Sequence, residues 1–435
     1  YTVLIMFALR IVVGLMSLSL GLARQQYGGR EGPSFILTKF GAVGDNATLN
    51  TKAFDAGVAA VAAAGGGTLV VPEGIFITAP FNLTSNMTLF LDKGAEIRGP
   101  TAQQLGPAPA FPLWPIIAPM PSYGQGRDHT GPRRAALIGG SNLHDVVLTS
   151  ASDAWGTIDG YGQPFWDAHR GHGERVTRGH LIELMHTSNL EISNLYLRNS
   201  PFWTVHPFDC HGVVVKNIDI WAPTDSPNTD GVDPDSCSDV LIENFSYHGG
   251  DDVIAIKSGW DCFGYKYNHS TKDVVIRNVS AIYSGAAGVA IGSEMSGGME
   301  NISVSDCDFS KTRTGLDIKY SKTRGGYVKN IHFTNIIMGD TTSGALTVNG
   351  NYGSENPSCP QHAVVPCPVK DISFTNITQA KGTSVDVLLD FEGLPSNTIE
   401  GIVIDGVYLV GKQQVKCAMV HGTYNNCPLC SKCAG

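Results

Sequence analysis

The chain has 435 residues, of which 42% are hydrophobic and only 16% are charged, so it can bury a large apolar core. Its formal net charge of −9 excludes a strongly basic surface and argues against nucleic acid as a partner. The 51 glycines, together with so few charges, favour an all-β chain with many turns over a helical one.

The first residues contain an apolar run, residues 11–22, that is followed by Ala23. Such a run is short for a bilayer span and is typical of the apolar region of a signal peptide. We therefore predict a signal peptide over residues 1–23, secretion to the extracellular space or cell wall, and no stable membrane association after cleavage. A signal anchor is the alternative.

The ten cysteines suit an oxidising compartment, where an even number predicts disulfides. Cys427, Cys430 and Cys433 have a spacing that could suggest zinc, but no histidine or second Cys-x-x-Cys pair completes four ligands there. Disulfides are favoured, and we expect Cys359 to pair with Cys367 across a short loop. Secretion would also make some of the eight Asn-x-Ser/Thr sequons glycan acceptors, namely Asn46, Asn82, Asn86, Asn244, Asn268, Asn278, Asn301 and Asn376.

A short pattern of alternating apolar residues around an asparagine recurs along the chain. It occurs at residues 190–197, 213–220 and 240–245, and later copies have Asn278, Asp306, Asn335 and Asn376 at the equivalent place. Period-2 runs with irregular insertions predict short parallel strands in a coiled stack that shares one core. A leucine-rich solenoid is the competing reading, but these repeats are neither regular nor rich in leucine.

The recurrent asparagines can hydrogen-bond to one another along such a stack, which explains them without any catalytic role. We expect Asn244, Asn278 and Asn376 to be buried there and unglycosylated. Residues 51–64 place Phe54, Val58 and Val61 on one helical face, which predicts a helix that caps the first coil. Residues 34–435 are expected to form one domain.

The second strand of each coil brings carboxylates together. We align the segments that begin at Asp230, Asp252, Gly288 and Gly315, so Asp230 and Asp252 should lie side by side on coils ~4.8 Å apart. The side chain of Asp251 points the other way along the pleat unless the strand is kinked, which residues 249–250, both glycine, would permit.

Three carboxylates at this spacing can hydrolyse a glycosidic bond. One acid protonates the leaving oxygen while the others activate water, and crowding raises at least one pKa. The alternative is a Ca²⁺ site, which Asp233, Asp235 and Asp261 nearby keep open.

The sequence resembles family 28 glycoside hydrolases, the polygalacturonases, and in particular a plant-type branch. The resemblance covers nearly the whole mature chain and includes residues 40–45, 67–72, 156–160 and 199–203. Its most specific marks are residues 228–230, Asn-Thr-Asp, and 250–252, Gly-Asp-Asp. The family implies an all-β, right-handed parallel β-helix, a pectic polysaccharide as substrate, no metal or cofactor, and a monomer.

The resemblance also implies roles for single residues. Asp251 matches the general acid, and Asp230 and Asp252 match the pair that activates water for inversion at the anomeric carbon. Lys319 matches the lysine that binds a galacturonate carboxylate, and Tyr352 is a looser match to a sugar-binding tyrosine. Asn228 and Lys257 are further candidates for substrate binding.

Two positions depart from the family pattern. Ala287 stands where the family has an active-site histidine, and Asp317 replaces a substrate-binding arginine. Other basic candidates for holding a uronate are Arg127, Arg133, Arg134, Arg313 and Arg324. His206 is either a core histidine or a sugar contact, and we expect Trp155, Trp166 and Trp203 to be packing residues.

These departures leave alternatives to a polygalacturonase. The loss of the arginine could mark a rhamnogalacturonan or xylogalacturonan hydrolase of the same family. A pectin-binding wall protein without activity is a further alternative, and a lyase is a weaker one. The sequence does not separate internal cleavage from cleavage at a chain end.

Overall fold

The computed structural model describes residues 32–433 except 172, 174, 354, 361–364 and 429. The signal peptide predicted over residues 1–23 lies outside the described residues. None of the described helices has the length and apolar character that a membrane span needs. The helices are α1 (Thr51–Ala63), α2 (Ala102–Leu105), α3 (Gln163–Arg170) and α4 (Asp261–Tyr267), with 3-10 turns at Leu37–Phe40 and Cys430–Lys432.

Strands make up most of the described chain, and they lengthen after the first third. The first thirteen are β1 (Ser34–Ile36), β2 (Asp45–Leu49), β3 (Gly67–Val71), β4 (Gly74–Ile77), β5 (Phe81–Asn82), β6 (Met87–Leu91), β7 (Ala95–Arg98), β8 (Ile116–Ile117), β9 (Arg133–Arg134), β10 (Ile138–Ser141), β11 (His144–Ser150), β12 (Gly156–Asp159) and β13 (Ile182–Met185). The others are β14 (Ser188–Arg198), β15 (Val205–Phe208), β16 (His211–Trp221), β17 (Ser238–Gly249), β18 (Ile254–Ile256), β19 (Thr271–Ile291), β20 (Met299–Phe309), β21 (Thr312–Lys319), β22 (Val328–Met338), β23 (Gly344–Asn349), β24 (Val369–Gln379), β25 (Val385–Glu392), β26 (Ile399–Tyr408), β27 (Gly411–Ala418) and β28 (Val420–Asn425).

These strands stack as successive coils of a right-handed parallel β-helix, as predicted. The long strands β14, β16, β17 and β19 pair in parallel, residue above residue, apart from one shift in register between β17 and β19 after Tyr247. A second parallel series, here called the catalytic face, runs through β5, β10, β13 and β15 and continues through β18, the last residues of β19, β21, β23 and β25. Each coil buries its apolar side chains against its neighbours, so one apolar core extends from Leu37 to Cys433.

The recurrent asparagines mark the bends in the long strands. Asn217 and Asn244 have φ of 50° and 53°, a left-handed conformation that asparagine tolerates better than most residues. The Nδ2 atom of Asn217 donates to Oδ1 of Asn194 at 3.0 Å, and that of Asn244 donates to Oδ1 of Asn217 at 3.1 Å. The predicted ladder of asparagines is therefore present.

The expectation that Asn244, Asn278 and Asn376 are buried is wrong. All three are exposed, because a side chain at an outward bend of the coil points away from the core. Their amides are nevertheless engaged, since Asn278 donates to Asn244 and Asn376 donates to Asn335. Burial is thus no reason to expect these sequons to lack glycans.

The helix α1 covers the first coil, as predicted. Phe54 and Val61 are fully buried, and the ring of Phe54 stacks on that of Phe81 with centroids 4.5 Å apart. A side chain at Gly57 would collide with Leu69, so the helix packs closely against the sheet. The helix therefore shields the apolar end of the stack from water.

The predicted pairing of Cys359 with Cys367 is wrong. Cys359 instead forms a disulfide with Cys262, 97 residues away, on α4. Cys367 is fully buried in the core, where its Sγ lies 3.8 Å from Sδ of Met295, so it is not available to the loop that contains Cys359. The tail forms two more disulfides, Cys417–Cys433 and Cys427–Cys430.

Disulfides therefore account for only part of the cysteine content. The cysteines without a disulfide are all buried and are Cys210, Cys237, Cys307 and Cys367.

Candidate active site

Asp230 and Asp252 lie level on neighbouring coils of the catalytic face. A bridge between Val232 and Ile254 sets this register, which confirms the predicted alignment of the two segments. Both aspartates are only 4% exposed. Two carboxyl groups are therefore held close together with little water around them.

Asp251 reaches the same place because the chain bends between β17 and β18. A side chain at Gly249 would collide with the hydroxyl of Tyr247, and one at Gly250 with the carbonyl of Ser226, so this bend requires both glycines. The carbonyl of Asp251 accepts hydrogen bonds from Tyr247 Oη at 3.1 Å and from Ser284 Oγ at 2.7 Å. As a result, the nearest oxygens of Asp230, Asp251 and Asp252 all lie within 4.8 Å of one another.

The third coil is shifted by one residue from the predicted alignment. Ile254 pairs with Val289, so Ala287 and not Gly288 lies opposite Asp252. The strand β19 is irregular between Ser284 and Ala287, which the sequence pattern did not indicate. The shift lets the backbone N–H of Ala287 donate to Oδ1 of Asp252 at 2.8 Å.

Two lysines flank the carboxylates. The Nζ atom of Lys319 donates to Oδ2 of Asp252 at 2.8 Å. Nζ of Lys257 lies 3.6 Å from Asp230, 3.6 Å from Asp233 and 3.5 Å from Glu294. Both lysines are almost fully buried, so each stabilises negative charge where water is scarce.

Burial raises the pKa of Asp251 well above its usual range, and the charges of Asp230 and Asp252 raise it further. Burial and the charge of Asp233 likewise raise the pKa of Asp230 well above its usual range. Asp233 is fully buried beside Lys257, and burial raises its pKa to about 8. Protons are therefore retained in this cluster at mildly acidic pH.

Asn228 links Asp251 to the protein around it. The guanidinium of Arg178 donates to Oδ1 of Asn228 at 2.8 Å, which fixes the orientation of the amide. The Nδ2 atom then donates to Oδ2 of Asp251 at 3.3 Å. Arg178 is itself fully buried and bound to Asp128, with Nε 2.9 Å from Oδ2.

These residues line one cavity of about 300 Å³ on the catalytic face. Its wall includes the indole of Trp203, whose centroid is 4.1 Å from Nζ of Lys257. Tyr352 lines the cavity with 38% of its surface exposed, and its ring centroid is 5.2 Å from Nζ of Lys319. All seven residues predicted for the site line this cavity, namely Asn228, Asp230, Asp251, Asp252, Lys257, Lys319 and Tyr352.

The other basic candidates divide into one that lines the cavity and several that do not. Arg127 lines it and is bound to Glu294, with Nε 2.7 Å from Oε1. Arg133 is buried against Glu183, and Arg134 donates to the carbonyls of Pro109, Ala110 and Trp114. Arg324 is buried against Asp261, and Arg313 donates to Ser343.

Among the histidine and tryptophan candidates, only Trp203 lines the cavity. His206 is fully buried, with Nδ1 3.0 Å from Glu183, and is therefore a core histidine. Trp166 is buried and donates to the carbonyl of Ser200, as expected of a packing residue. Trp155 donates to the carbonyl of Ser152 and lies beside Tyr196, away from the cavity. Trp203 is buried too, but it lines the cavity.

The calcium alternative fits this geometry poorly. Lys319 and Lys257 stand against Asp252 and Asp230 and would repel a divalent cation. Asp235 accepts from the hydroxyl of Tyr123 at 2.7 Å, and Asp261 is paired with Arg324. The acids that kept this alternative open thus have other partners.

The sequence analysis missed three residues of the site. It named Asp233 only as a possible calcium ligand, although this side chain shares the ammonium of Lys257 with Asp230. Glu294 binds Arg127 and lies near Lys257, and Arg178 orients Asn228. Glu294 and Asp233 could have been found as charged residues next to apolar runs of the catalytic face, whereas no pattern indicates Arg178.

Comparisons with known proteins identify the family of this chain. Residues 125–431 match the model of the glycosyl hydrolases family 28. A probable polygalacturonase of Vitis vinifera is 40% identical over 86% of this chain and 74% of its own length. An exopolygalacturonase of Zea mays is 27% identical over 91% of this chain and 89% of its own length.

Solved structures show the same architecture. The crystal structure of an exopolygalacturonase from Thermotoga maritima superposes with a TM-score of 0.74 at 23% identity, over 91% of this chain and 93% of that one. The fold and the clustered carboxylates define a glycosidase of the parallel β-helix class. Within that class, the chain belongs to the glycosyl hydrolases family 28.

Proposed function

We propose that this chain is a secreted polygalacturonase that hydrolyses the α-1,4 bonds between galacturonate residues of pectin, with inversion at the anomeric carbon. The observation that carries the proposal is the approach of Asp230, Asp251 and Asp252 to within 4.8 Å of one another in a cavity that also contains Lys319 and Lys257. The names of the relatives support this substrate class.

In this mechanism, Asp251 gives its proton to the glycosidic oxygen as the bond to the anomeric carbon breaks. A water molecule attacks that carbon and loses a proton to the pair formed by Asp230 and Asp252. The raised pKa of Asp251 supports its role as the acid. The ammonium of Lys319 on Asp252 supports the opposite role for that residue, because it stabilises a charged carboxylate.

The balance of charge in the cavity predicts an acidic pH optimum. Three cations line it, Arg127, Lys257 and Lys319, beside five carboxyl groups, Asp128, Asp230, Asp251, Asp252 and Glu294. The pKa of Asp251 is raised, so this acid takes up its proton as the pH falls. Three cations then face four carboxylates, and a polyanionic substrate meets less repulsion.

The stereochemistry needs its own measurement. Acid and base are about 6.5–9.5 Å apart in most inverting glycosidases and about 5–5.5 Å apart in retaining ones. The nearest oxygens in this cluster are closer than the inverting range. Proton NMR during the first turnovers should show the β-anomer from an α-linked substrate, and the α-anomer as first product would contradict inversion.

Asp317 supports a second candidate, a hydrolase of rhamnogalacturonan or xylogalacturonan. Asp317 pairs with Ala290 of the preceding coil on the catalytic face and is 7% exposed. It stands where the family pattern has an arginine. A carboxylate there would favour a neutral sugar with hydroxyl groups over a uronate. Initial rates on polygalacturonate, rhamnogalacturonan and xylogalacturonan, measured side by side, separate the two candidates.

The purified protein and its Asp251→Asn variant test the proposed activity directly. We expect the protein to release reducing ends from polygalacturonate and the variant to lose about 10²–10⁴-fold of that rate, as is usual for a general acid. Asp55→Asn, an exposed change on α1, is the control. Binding of pectin without turnover would instead support a wall-binding protein, and a product that absorbs ultraviolet light would support a lyase.

Secretion is part of the proposal and rests on residues 1–23. Fusion of this segment to a reporter in plant cells should export the reporter. A reporter that stays inside the cell would contradict it.

A further inference from the structure

We infer that this chain cleaves at the end of its polysaccharide and not internally, because one end of its catalytic cavity is closed by a segment of the chain. The inference rests on the proposed function. Residues 116–134, here called the wall segment, cover the catalytic face from Glu183, on the N-terminal side of the three aspartates, to Glu294, on the coil after Asp252. A polymer that threads past the aspartates in both directions would have to pass through this segment.

The wall segment begins and ends in an antiparallel pair, β8 with β9. At its end, Arg133 donates from Nη1 to both carboxylate oxygens of Glu183, at 2.8 and 2.6 Å. Glu183 lies on the catalytic face, level with His206 on the next coil. Arg133 and Glu183 are each only 3% exposed, so the wall segment is anchored to the floor of the face by a desolvated ion pair.

The middle of the wall segment is tied down beside the aspartates. Tyr123 is fully buried, and its hydroxyl donates to Asp235 at 2.7 Å. Asp128 accepts from Arg178, the residue that orients Asn228. Arg127 crosses the cavity to Glu294 and lies over the ring of Trp260 at 4.6 Å. Tethers at several points make this segment a fixed wall.

A second group of loops braces the wall segment from outside. The Nδ2 atom of Asn356 donates to the carbonyl of Tyr123 at 2.9 Å, and the hydroxyl of Ser358 donates to Gln125 at 2.5 Å. The next residue, Cys359, is joined to α4 by the disulfide with Cys262. A covalent bond therefore supports the loop that contacts the wall segment.

Beyond the wall segment, the catalytic face continues into a separate cavity of about 450 Å³. Its floor contains Gly139 and Gly140, and Asn82 and Glu183 line it. It shares no lining residue with the catalytic cavity among the residues that the structure describes. The wall segment thus divides what would otherwise be one groove along the face.

The catalytic cavity is open on the opposite, C-terminal side. Its lining there ends at Lys319 and Tyr352, and Tyr352 is 38% exposed. Trp203, at the closed end, lies one coil before Asp230 and two coils before Asp252, and coils are ~4.8 Å apart. This is room for one sugar ring between the wall segment and the reacting bond, so we expect monomeric galacturonate as the product.

Oligogalacturonates with one blocked terminus test the inference on the unaltered protein. In one set the reducing end is blocked by reduction. In the other set the non-reducing end is blocked by an unsaturated residue. We expect monomer to be the first product from unblocked chains, and one of the two blocks to abolish cleavage of the terminal bond. Products of mixed length from the outset, or equal cleavage of both blocked sets, would overturn the inference. Failure to cleave any of them would instead count against the proposed function.

A shortened wall segment provides a second test. The backbone N–H of Gly126 donates to the carbonyl of Gly131 at 2.7 Å, so residues 127–130 can be removed and the two glycines joined. If the shortened protein is folded, we expect it to release longer oligomers early. Release of monomer alone by a folded, active variant would overturn the role of the wall segment. Thr130→Gly, at an exposed position that does not line the cavity, is the matched control.

Discussion

Lys319 binds Asp252 across an intervening coil, with Nζ 2.8 Å from Oδ2 although 67 residues separate them in sequence. On the coil between them, Ala287 is level with Asp252 and pairs with Thr314, whereas Lys319 follows Ile318, which pairs with Ile291. The contact places a positive charge directly on one of the three clustered carboxylates.

Replacement of Lys319 by methionine should change both substrate binding and pH dependence. The charge of Lys319 lowers the pKa of Asp251 and that of Asp230, so its removal raises both. Asp251 then keeps its proton to higher pH, so the alkaline limb of the pH–rate profile shifts to higher pH. We also expect KM for oligogalacturonate to rise by about tenfold or more, since a charged contact to substrate is lost.

Lys311→Met is the matched control for that measurement. Its side chain is 54% exposed and is paired with Asp340, away from the cavity. A pH profile of Lys319→Met that coincides with that of the unaltered protein would show that Lys319 does not act on the aspartates.

The Asp317→Asn substitution should matter only above mildly acidic pH. Burial raises the pKa of Asp317 to about 6, so the group is neutral at pH 5 and charged at pH 7. We expect the variant to match the unaltered protein at pH 5 and to exceed its kcat/KM on polygalacturonate by about tenfold at pH 7, where an anion would otherwise repel the substrate. An equal gain at both pH values would contradict this explanation.

The same titration affects stability with a defined sign. The folded state holds the proton of Asp317 more tightly than the unfolded chain, whose aspartate pKa is about 3.9. The contribution of this group to stability is therefore fully present below pH 4 and is lost as the pH rises through 6. Thermal unfolding of Asp317→Asn should show a weaker decline between pH 5 and 7 than that of the unaltered protein.

The disulfide between Cys262 and Cys359 should stabilise the fold appreciably, because it closes a long loop. Cys262→Ser and Cys359→Ser are each expected to lower the free energy of unfolding by about 2–4 kcal/mol. The double variant should be no less stable than either single one, since all three lack the same bond. If Cys359→Ser and Cys367→Ser were the pair that showed this non-additivity, the pairing with Cys262 would be refuted.

Substitutions of Asn217 separate the two contributions of the asparagine ladder to stability, namely the side-chain hydrogen bonds and the left-handed backbone conformation. It adopts φ of 50°, its amide donates to Asn194, and its oxygen accepts from Asn244. Asn217→Gly keeps the left-handed backbone but loses two hydrogen bonds, which should cost about 1–3 kcal/mol. Asn217→Ala should cost about 1–2 kcal/mol more, because alanine is strained at positive φ. Denaturant unfolding of both variants tests this order, and Asn217 is free of any sequon.

Much of the stack could be read from particular residues. Alternating apolar residues around Asn194 and Asn217 predicted the long strands and their register, because hydrogen bonds between parallel strands leave little freedom in how identical patterns stack. The same reasoning placed Asp230 level with Asp252 and the helix α1 over the first coil. Where a bulge breaks the pattern, at Ser284 to Ala287, the predicted alignment was off by one residue.

The outward direction of the bends was harder to read. Asn244 and Asn278 lie within strongly apolar strands, and their burial was predicted from that context. In three dimensions the chain turns at these residues, and the outer side of a turn faces water.

The sequence by itself determined the β-helix, the register of most neighbouring coils and the clustering of three carboxylates. Each of these follows from short-range periodicity and the fixed spacing of strands. The tertiary structure alone decided what surrounds them. Tyr123 reaches Asp235 across 112 residues, and Cys359 reaches Cys262 across 97. Such contacts between loops depend on how long insertions fold back over the sheet, and no periodic pattern encodes that path.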